Sequence, residues 1–394
     1  MIMKNILFIS LLLFSKQCLS DMWIPKANFG GPNRADAVGC AINGKGYLGT
    51  GYTTGYSKDW WEYDTLTNAW TQKADFMGNS NVEGTCIGII GKVYFLPFSN
   101  GNNFYMYDPL TNTWTMKATF PGLQRQGAIG FTIDNKGYFG LGGVNSPNPH
   151  KNDLWEYDPA TDSWNQKADL PAAARMFAAA FSIGSKGYIG TGSSSSGTLS
   201  DFWEYDAISD TWTQKSSFPG GQRYEGNAFS VGGFGFMGGG YGPLPRNDFW
   251  RYDPQTDSWT PIALLPHNGV VETVCFSIGN YAYLGTGWDG TNFMNNFWQY
   301  SADSIVLSTH EISENNSEIM VYPNPAKDFI IIKCNDFTKS LKVTLTDSQG
   351  RAVFKNDNYF PNDKINLMSY PAGCYFATIE NNSLKTVSTV AVIK

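Results

Sequence analysis

Charged residues are scarce in this chain of 394 residues, where Asp, Glu, Lys and Arg make up 16%, against about a quarter in ordinary globular proteins. The formal net charge of −6 gives no support to a nucleic-acid partner. No apolar run reaches the roughly twenty residues of a membrane-spanning helix, so we expect no transmembrane span in the mature chain. Glycine (42 residues) and aromatic residues (15%) are abundant, which favours an all-β protein with tight turns over a helical bundle or a disordered chain.

Residues with strong chemistry are also few. The sequence has no Cys-x-x-Cys pair, no Gly-x-Ser-x-Gly motif and three histidines, namely His150, His267 and His310. A zinc site and a serine-hydrolase triad therefore have no support, and we expect no metal or cofactor. Three of the six cysteines lie in apolar stretches and are expected to be small buried thiols: Cys40, Cys86 and Cys275. Cys334 and Cys374 can pair if the chain is exported.

Residues 1–20 have the pattern of a secretory signal peptide. Lys4 provides the positive charge, residues 6–14 (ILFISLLLF) form a short apolar segment, and Cys18 and Ser20 precede the expected cleavage point. One alternative is a buried strand of the fold. The other is a lipoprotein signal at Cys18. It is less favoured, because such a signal requires a small residue at the position that Gln17 occupies. We expect export of the remaining chain.

Internal repeats organise residues 21–303. A Tyr-Asp pair preceded by aromatic residues recurs every 44 to 50 residues, as WWEYD (60–64), FYMYD (104–108), LWEYD (154–158), FWEYD (202–206), FWRYD (249–253) and, truncated, FWQY (297–300). Seven residues after the tyrosine stands a tryptophan: Trp70, Trp114, Trp164, Trp212 and Trp259. Upstream lies a glycine-rich segment such as GYLGTG (46–51), from which repeat two departs with VYFLP (93–97).

Each repeat is predicted to form four short strands, A to D. Strand A is apolar and small, strand B is the glycine-rich segment, strand C is the Tyr-Asp segment and strand D begins at the tryptophan. The C–D connections, such as DPLTNTW (108–114), have the composition of turns. Calcium binding by their aspartates is the alternative interpretation.

The glycine pair, the Tyr-Asp pair and the tryptophan at these spacings resemble the kelch repeat of galactose-oxidase-type and other kelch propellers. The resemblance covers residues 21–303 and implies a six-bladed β-propeller with strand A innermost. The segment WIPKANF (23–29) matches the D strand WTQKADF (70–76), while Leu307 stands where the last repeat should have its tryptophan. We therefore expect the strand at Trp23 to complete the sixth blade. The copper site of galactose oxidase needs two histidines beside tyrosines, and the three histidines here do not support it.

A second domain, residues 319–394, follows a polar linker at 304–318 and is predicted to be a small β-sandwich. Its segments YPNP (322–325), 347–350, INL (365–367) and GCY (373–375) resemble the C-terminal sorting domain of type IX secretion substrates of Bacteroidetes. The resemblance implies that the secretion machinery carries the chain across the outer membrane, to the cell surface or the exterior. An accessory sandwich without a sorting role is the alternative.

Polar residues recur at the start of strand A. Thirteen residues before the strand-B aromatic residue, four repeats have an arginine: Arg34, Arg125, Arg175 and Arg223. Two residues further on, four repeats have an acid: Asp36, Glu83, Glu225 and Glu272. Side chains two residues apart lie on one face of a strand, and strand A is innermost in kelch propellers. We predict that these residues surround one mouth of the central channel and bind a ligand there.

The B–C loops share this face, because strands A and B run antiparallel. They are the variable parts of the repeats, and variable loops on a rigid scaffold commonly carry binding sites. Their aromatic side chains are predicted to stack on sugar rings: Trp288, Tyr52, Tyr56 and Tyr241.

The sequence thus predicts an exported binding protein, rather than an enzyme, that holds a carbohydrate or a protein at this mouth. The alternative is a sugar mutarotase or epimerase, similar to the six-bladed kelch proteins that interconvert the anomers of sialic acid. In that case Glu83, Glu225 or Glu272 would act as acid or base, and Arg175 and Arg223 would hold the sugar carboxylate. The third possibility is a structural role, in which the arginines and acids pair and stabilise the mouth.

Overall fold

A computed structural model describes residues 22–79, 83–98, 101–144, 150–267, 269–301, 320–322, 328–333, 340–346, 351–360, 363–370, 373–380 and 385–392. The predicted signal peptide and linker lie outside these ranges. The chain divides into two compact units, Met1–Ile305 and Val306–Lys394. Within the described ranges, no helix is long and apolar enough to cross a bilayer.

The first unit is built from four-stranded antiparallel sheets, of which its described residues form six. The chain begins with β1 (Met22–Pro25). Blade 1 contains β2 (Val38–Ile42), β3 (Lys45–Gly49), β4 (Trp60–Asp64) and β5 (Ala69–Lys73). Blade 2 contains β6 (Thr85–Ile89), β7 (Lys92–Leu96), β8 (Phe104–Asp108) and β9 (Thr113–Lys117). Blade 3 contains β10 (Ile129–Ile133), β11 (Lys136–Gly140), β12 (Leu154–Asp158) and β13 (Ser163–Lys167).

The remaining three blades follow the same order. The loops of blade 4 add β14 (Arg175–Met176), and the blade itself contains β15 (Ala179–Ile183) and β16 (Lys186–Gly190). A small loop hairpin, β17 (Ser193–Ser194) and β18 (Gly197–Thr198), precedes β19 (Phe202–Asp206) and β20 (Thr211–Lys215). Blade 5 contains β21 (Asn227–Val231), β22 (Phe234–Gly238), β23 (Phe249–Asp253) and β24 (Ser258–Pro261). Blade 6 contains β25 (Val274–Ile278), β26 (Tyr281–Gly285), β27 (Phe297–Ser301) and β1.

The first strands of the blades form a closed circle. In this circle β2 contacts β6, followed by β10, β15, β21 and β25, and β25 contacts β2 again. Each of these strands lies at one edge of its sheet. The predicted six-bladed propeller with strand A innermost is therefore confirmed.

The strand-B glycines let adjacent blades approach closely. A Cβ on Gly235 would lie 2.1 Å from the Phe181 ring of the preceding blade, and a Cβ on Gly187 would lie 2.4 Å from Phe131. In blade 2, Val93 takes the place of this glycine, and Cys40 stands in blade 1 where blades 3 to 6 have phenylalanine. The departure of repeat two from the glycine pattern is thus an exchange of side-chain sizes between neighbouring blades.

The strand-D tryptophans join each blade to the one before it. Each indole Nε1 donates a hydrogen bond of 2.8–3.1 Å to a backbone carbonyl in the preceding blade: Trp23 to Ala263, Trp70 to Ala27, Trp114 to Ala74, Trp164 to Ala118, Trp212 to Ala168 and Trp259 to Ser216. A C–D turn residue adds a second bond, as where Asn68 Oδ1 accepts from Ala27 N at 3.0 Å and from the Tyr63 hydroxyl at 2.7 Å. The repeated Tyr, Asn/Asp and Trp positions therefore form one clamp between blades.

The C–D turn aspartates also have structural partners. Asp64 accepts a hydrogen bond from Leu66 N at 2.8 Å and pairs with Lys45 at 2.5 Å. In the described part of the chain, no group of three or more His, Cys, Asp or Glu side chains is arranged to hold a metal ion. These contacts favour the turn interpretation over calcium binding.

The N-terminal strand is the fourth strand of blade 6. β1 pairs antiparallel with β27, with Trp23 opposite Tyr300. The Trp23 side chain is 9% exposed and its ring lies 5.1 Å from Tyr300 and 5.3 Å from Phe249. Hence the strand at Trp23 joins the two ends of the propeller.

The second unit contains β28 (Met320–Tyr322), β29 (Phe329–Lys333), β30 (Leu341–Thr346), β31 (Ala352–Tyr359), β32 (Lys364–Asn366), β33 (Gly373–Glu380) and β34 (Lys385–Val392). One sheet has the order β28-β29-β32 and the other the order β31-β30-β33-β34. Ile330 and Ile365 from the first sheet share a buried cluster with Val343 and Ile379 from the second. The sandwich geometry stays a prediction, and the pairing of Cys334 with Cys374 concerns side chains outside the described part.

Replacing Trp23 by alanine should destabilise the propeller, because it removes a buried ring and the hydrogen bond between blades 5 and 6. We expect a loss of about 3–5 kcal/mol in the free energy of unfolding, measured by urea denaturation. Met22, 50% exposed in the same strand, gives the control, since Met22→Ala should cost less than about 0.5 kcal/mol. Equal losses in the two variants would contradict closure through Trp23.

Candidate binding site at the mouth of the channel

Small hairpins formed by the B–C loops surround one end of the channel. In blades 1, 3, 4, 5 and 6 the described loop residues pair with the segment that enters strand A of the same blade, as where Tyr52 bridges to Ala35 and Tyr56. In blade 6, Trp288 bridges in the same way to Val271 and Phe293. The predicted face therefore carries both the strand-A entries and the variable loops.

The four arginines at the strand-A entries are buried within this layer. Arg175 is 0% exposed, and its guanidinium binds both oxygens of Asp201, at 2.6 and 2.7 Å. It also donates to the Thr191 carbonyl at 3.1 Å and to the Ala173 carbonyl at 3.0 Å. The other three arginines repeat this arrangement in their own blades: Arg34 with Asp59, Arg125 with Asp153 and Arg223 with Asp248.

Further contacts fix these ion pairs. The guanidinium carbon of Arg34 lies 4.6 Å from the Phe29 ring centroid, and the indole of Trp61 donates to Asp59 at 2.7 Å. Burial opposes ionisation of Asp59, but hydrogen bonds and charge from Arg34 outweigh it, so the pKa of Asp59 is lowered.

The predicted ligand contacts of Arg34, Arg125, Arg175 and Arg223 need correction, because their donors are committed inside the blades and the side chains are at most 3% exposed. These four arginines have the structural role that was the third possibility, because each one pairs with an aspartate of its own blade and not with a ligand. Arg175 and Arg223 therefore have no free donors with which to hold a sugar carboxylate, as the mutarotase interpretation requires.

The aspartate partners were missed by the sequence reasoning, although the repeats carry a signal for them. The residue before strand C is aspartate in the four repeats that have the arginine: Asp59, Asp153, Asp201 and Asp248. It is Asn103 in repeat two and Asn296 in repeat six, where Asn81 and Val270 replace the arginine. Repeats two and six thus lack the arginine and the aspartate together. This is expected of a buried ion pair, because either charge alone would be buried without a partner.

The acids two residues later face the mouth. They belong to a set, here called the mouth ring, with one residue from each blade: Asp36, Glu83, Gly127, Phe177, Glu225 and Glu272. All six have φ between 51° and 59°. Their backbones bond from blade to blade, with Phe177 N donating to the Gly127 carbonyl at 2.8 Å and Glu225 N to the Phe177 carbonyl at 3.0 Å. The innermost strands thus place these four acids around one opening.

The mouth ring has an acidic side and an apolar side. The acids come from four consecutive blades, in the order 5, 6, 1 and 2, and the two remaining blades supply Gly127 and Phe177. A Cβ on Gly127 would lie 2.6 Å from the Phe177 ring, so Phe177 covers the position where an acid would otherwise project.

The crowded acids hold protons more tightly than free carboxyls do. Burial, followed by the charges of Glu272 and Glu83, raises the pKa of Asp36 to about 8. Burial, followed by the charges of Glu272, Asp36 and Glu83, raises the pKa of Glu225 to about 8. The pKa values of Glu83 and Glu272 are raised as well, mainly by burial. Asp36 and Glu225 are therefore largely protonated near neutral pH.

Aromatic side chains extend from the ring onto the hairpins. Tyr224 lies 6.2 Å from Phe177 and 5.5 Å from Tyr241, between ring centroids. Tyr52 and Tyr56 are exposed by 38% and 63% and lie 5.5 Å apart, and Trp288 is half-buried. A cavity of about 240 Å³, lined by small residues of all six inner strands, occupies the channel.

The buried ion pairs predict a specific pattern in the stability of two single variants and their double variant. Arg223→Asn leaves Asp248 without its partner and should cost about 3 kcal/mol in the free energy of unfolding. Adding Asp248→Asn gives the same two residue types as repeat two has at these positions, removes the unpaired charge and should recover most of the loss. Urea denaturation of the two single variants and the double variant measures the coupling energy. Additive losses would contradict the ion-pair assignment.

The raised pKa of Glu225 predicts a pH dependence. The folded state holds a proton that the unfolded state loses between pH 4.5 and about 8, so this group's contribution to stability falls as pH rises. Glu225→Gln keeps the group neutral, so the variant should match the wild type near pH 4.5 and exceed it by up to about 5 kcal/mol above pH 8, since one pKa unit corresponds to about 1.4 kcal/mol. Thermal unfolding across this range measures the difference. A variant that is less stable than the wild type at high pH would contradict the crowding of the acids.

Comparisons with known proteins agree with the repeat architecture and with the C-terminal unit. The KLHDC2/KLHL20/DRC7 Kelch-repeats domain matches residues 97–270, and the Secretion system C-terminal sorting domain matches residues 320–394. No curated protein matches the chain. A solved structure titled "Structure of YjhT" shares the fold with a TM-score of 0.61 and 17% identity, covering 71% of this chain and 98% of that one. The chain therefore contains a kelch-repeat domain with a propeller fold and a C-terminal sorting domain, which indicates type IX secretion to the cell surface or the exterior.

Proposed function

We propose that this protein is a non-catalytic binding protein that holds a carbohydrate at the mouth ring, displayed outside the cell by its sorting domain. The observation that carries the proposal is the presence of acids at four positions of left-handed backbone conformation around one opening. Glutamate in this conformation is uncommon and strained, whereas glycine adopts it freely, as Gly127 does in blade 3. Strain and charge repulsion at one opening are typical of residues kept for a ligand.

The chemistry of the mouth favours a neutral or amino-bearing sugar. The carboxyl groups of Asp36, Glu83, Glu225 and Glu272 accept hydrogen bonds from hydroxyl or ammonium groups. Phe177 and Tyr224 provide an apolar side on which the face of a sugar ring can pack. The exposed rings on the hairpins, Tyr52, Tyr56 and Trp288, extend this surface for a longer chain. Sialic acid fits poorly, because its carboxylate would meet acids and find no free guanidinium in the mouth ring.

One observation favours the mutarotase or epimerase as a second candidate. A carboxyl group with a pKa of about 8, as in Glu225, exchanges its proton readily near neutral pH and suits general acid–base work. Glu83 and Glu272 lie across the same opening and would take the complementary role. For this candidate the substrate is a neutral reducing sugar. The assay compares the rate of anomer exchange of that sugar with and without the protein.

Glu225→Gly separates a functional acid from a structural one. Removing the side chain should relieve strain and repulsion, so the free energy of unfolding should rise by about 1 kcal/mol or more. The variant should therefore unfold at a higher temperature than the wild type. It should also lose the stabilisation by bound sugar, which is about 2.7 kcal/mol at a hundred times the dissociation constant. Thermal unfolding of the full mature chain against neutral, amino-bearing and sialylated oligosaccharides measures both effects.

The matched control is Asp134→Gly, which removes an exposed acid with φ of 53° at the far end of strand A in blade 3. It should gain stability in a similar way and keep the full response to sugar. A loss of stability in Glu225→Gly would assign the acids to the scaffold. If no sugar stabilises the wild type but a basic peptide does, the ligand is a protein.

A further inference from the structure

Two cysteines of neighbouring blades occupy positions that face each other. Cys40 is the third residue of β2 and Cys86 is the second residue of β6, and these innermost strands contact each other. Equivalent positions in other blades show how close they come. A Cβ on Gly130, second in β10, would lie 3.0 Å from the side chain of Ile87, third in β6.

The same relation holds between blades 6 and 1. A Cβ on Gly39, second in β2, would lie 3.5 Å from the side chain of Phe276, third in β25. The repeat geometry therefore directs the Cβ of Cys86 at the side chain of Cys40.

The surroundings of the two thiols agree with this placement. Cys40 and Cys86 are 6% and 9% exposed and belong to one buried cluster with Val93 and Trp60. Burial, followed by a hydrogen bond and charge from Cys40, raises the pKa of the Cys86 thiol. The backbones are also close, because a Cβ on Gly88 would lie 2.4 Å from the Ala41 carbonyl oxygen.

Both side chains are free thiols in this structure. We propose that after export Cys40 and Cys86 form a disulfide that joins the innermost strands of blades 1 and 2. The sorting domain directs the chain out of the reducing cytoplasm, and disulfides persist outside it. The two thiols lose two protons and two electrons as the Sγ–Sγ bond forms. A disulfide donor of the thiol–disulfide exchange class takes up the electrons and protons and leaves as a dithiol. Cys86 lines the channel cavity, which gives a small donor a route to it.

The disulfide would strengthen one of the two blades that lack the buried ion pair. Blade 2 has Asn103 where four other blades have the aspartate of the buried ion pair, and Val93 in place of the packing glycine. A covalent bond between β2 and β6 holds blade 2 in the ring, close to Glu83 of the mouth ring. Binding at the mouth would then depend on the oxidation state of a site several residues away.

Cys275 provides an internal control. It is the second residue of β25, as Cys86 is of β6, but the third residue of the preceding inner strand is Phe229. Its thiol donates to the Ala228 carbonyl at 3.1 Å. Cys275 should therefore remain a thiol under conditions that oxidise the pair.

Peptide mapping of the full secreted chain tests the proposal. Free thiols are alkylated under denaturing conditions without reductant, and the digest is analysed by mass spectrometry after incubation of the protein with oxidised glutathione. We expect a linked peptide pair joining Cys40 to Cys86, with Cys275 alkylated, whether or not Cys334 and Cys374 are also linked to each other. Alkylation of both Cys40 and Cys86, or linkage of either to another cysteine, would overturn the proposal.

A stability measurement adds a second readout. Reductant should lower the unfolding temperature of the wild type and of Cys275→Ser, but not that of Cys40→Ser, which has no bond to lose. If reductant lowers the unfolding temperature of Cys40→Ser by as much as that of the wild type, the disulfide is not the cause. Should Cys40→Ser fail to fold, the peptide map of the wild-type chain still decides the question.

Discussion

Hydrogen bonds from the strand-D tryptophans to the preceding blade are the interaction on which this propeller depends. Each blade alone is a small sheet with two apolar faces, and it is stable only when both faces are covered. The indole bonds fix the spacing at which the faces meet, and the phenylalanine-to-glycine contacts nearer the channel require that spacing. Because Trp23 makes the bond between blades 5 and 6, the fold is complete only when the N-terminal strand joins the last blade.

Within this frame, the polar positions at the channel mouth fall into two groups with opposite energetics. Arg175 and its counterparts have aspartate, carbonyl and aromatic partners, so their burial is compensated. The acids of the mouth ring are crowded and strained, and Asp36 and Glu225 hold their protons to unusually high pH. A fold under selection for stability alone has glycine available for these positions. The acids at these positions are the basis of our proposal that a ligand binds outside the blades.

The strands, the propeller and the C-terminal unit could be predicted because their signals repeat along the chain or follow a known motif order. The position of Asp36 and Glu225 at the mouth also followed from spacing. The burial of Arg34 did not, because its partner Asp59 is 25 residues away and only the folded blade brings them together. The contact between Cys40 and Cys86 could not be predicted from the sequence for a similar reason. The two cysteines occupy different positions in their strands, and the offset between neighbouring inner strands is a property of the ring.

The claim with the widest consequences is that four acids from consecutive blades share one confined opening. Carbon-detected NMR of the side-chain carboxyl groups, recorded as a function of pH on the full chain, observes this directly. Confinement predicts that Asp36 and Glu225 titrate near pH 8, with the carbon signals of Glu83 and Glu272 responding to the same transitions. Independent titration of all four groups near pH 4, as for free side chains, would contradict a shared mouth and with it the binding function placed there.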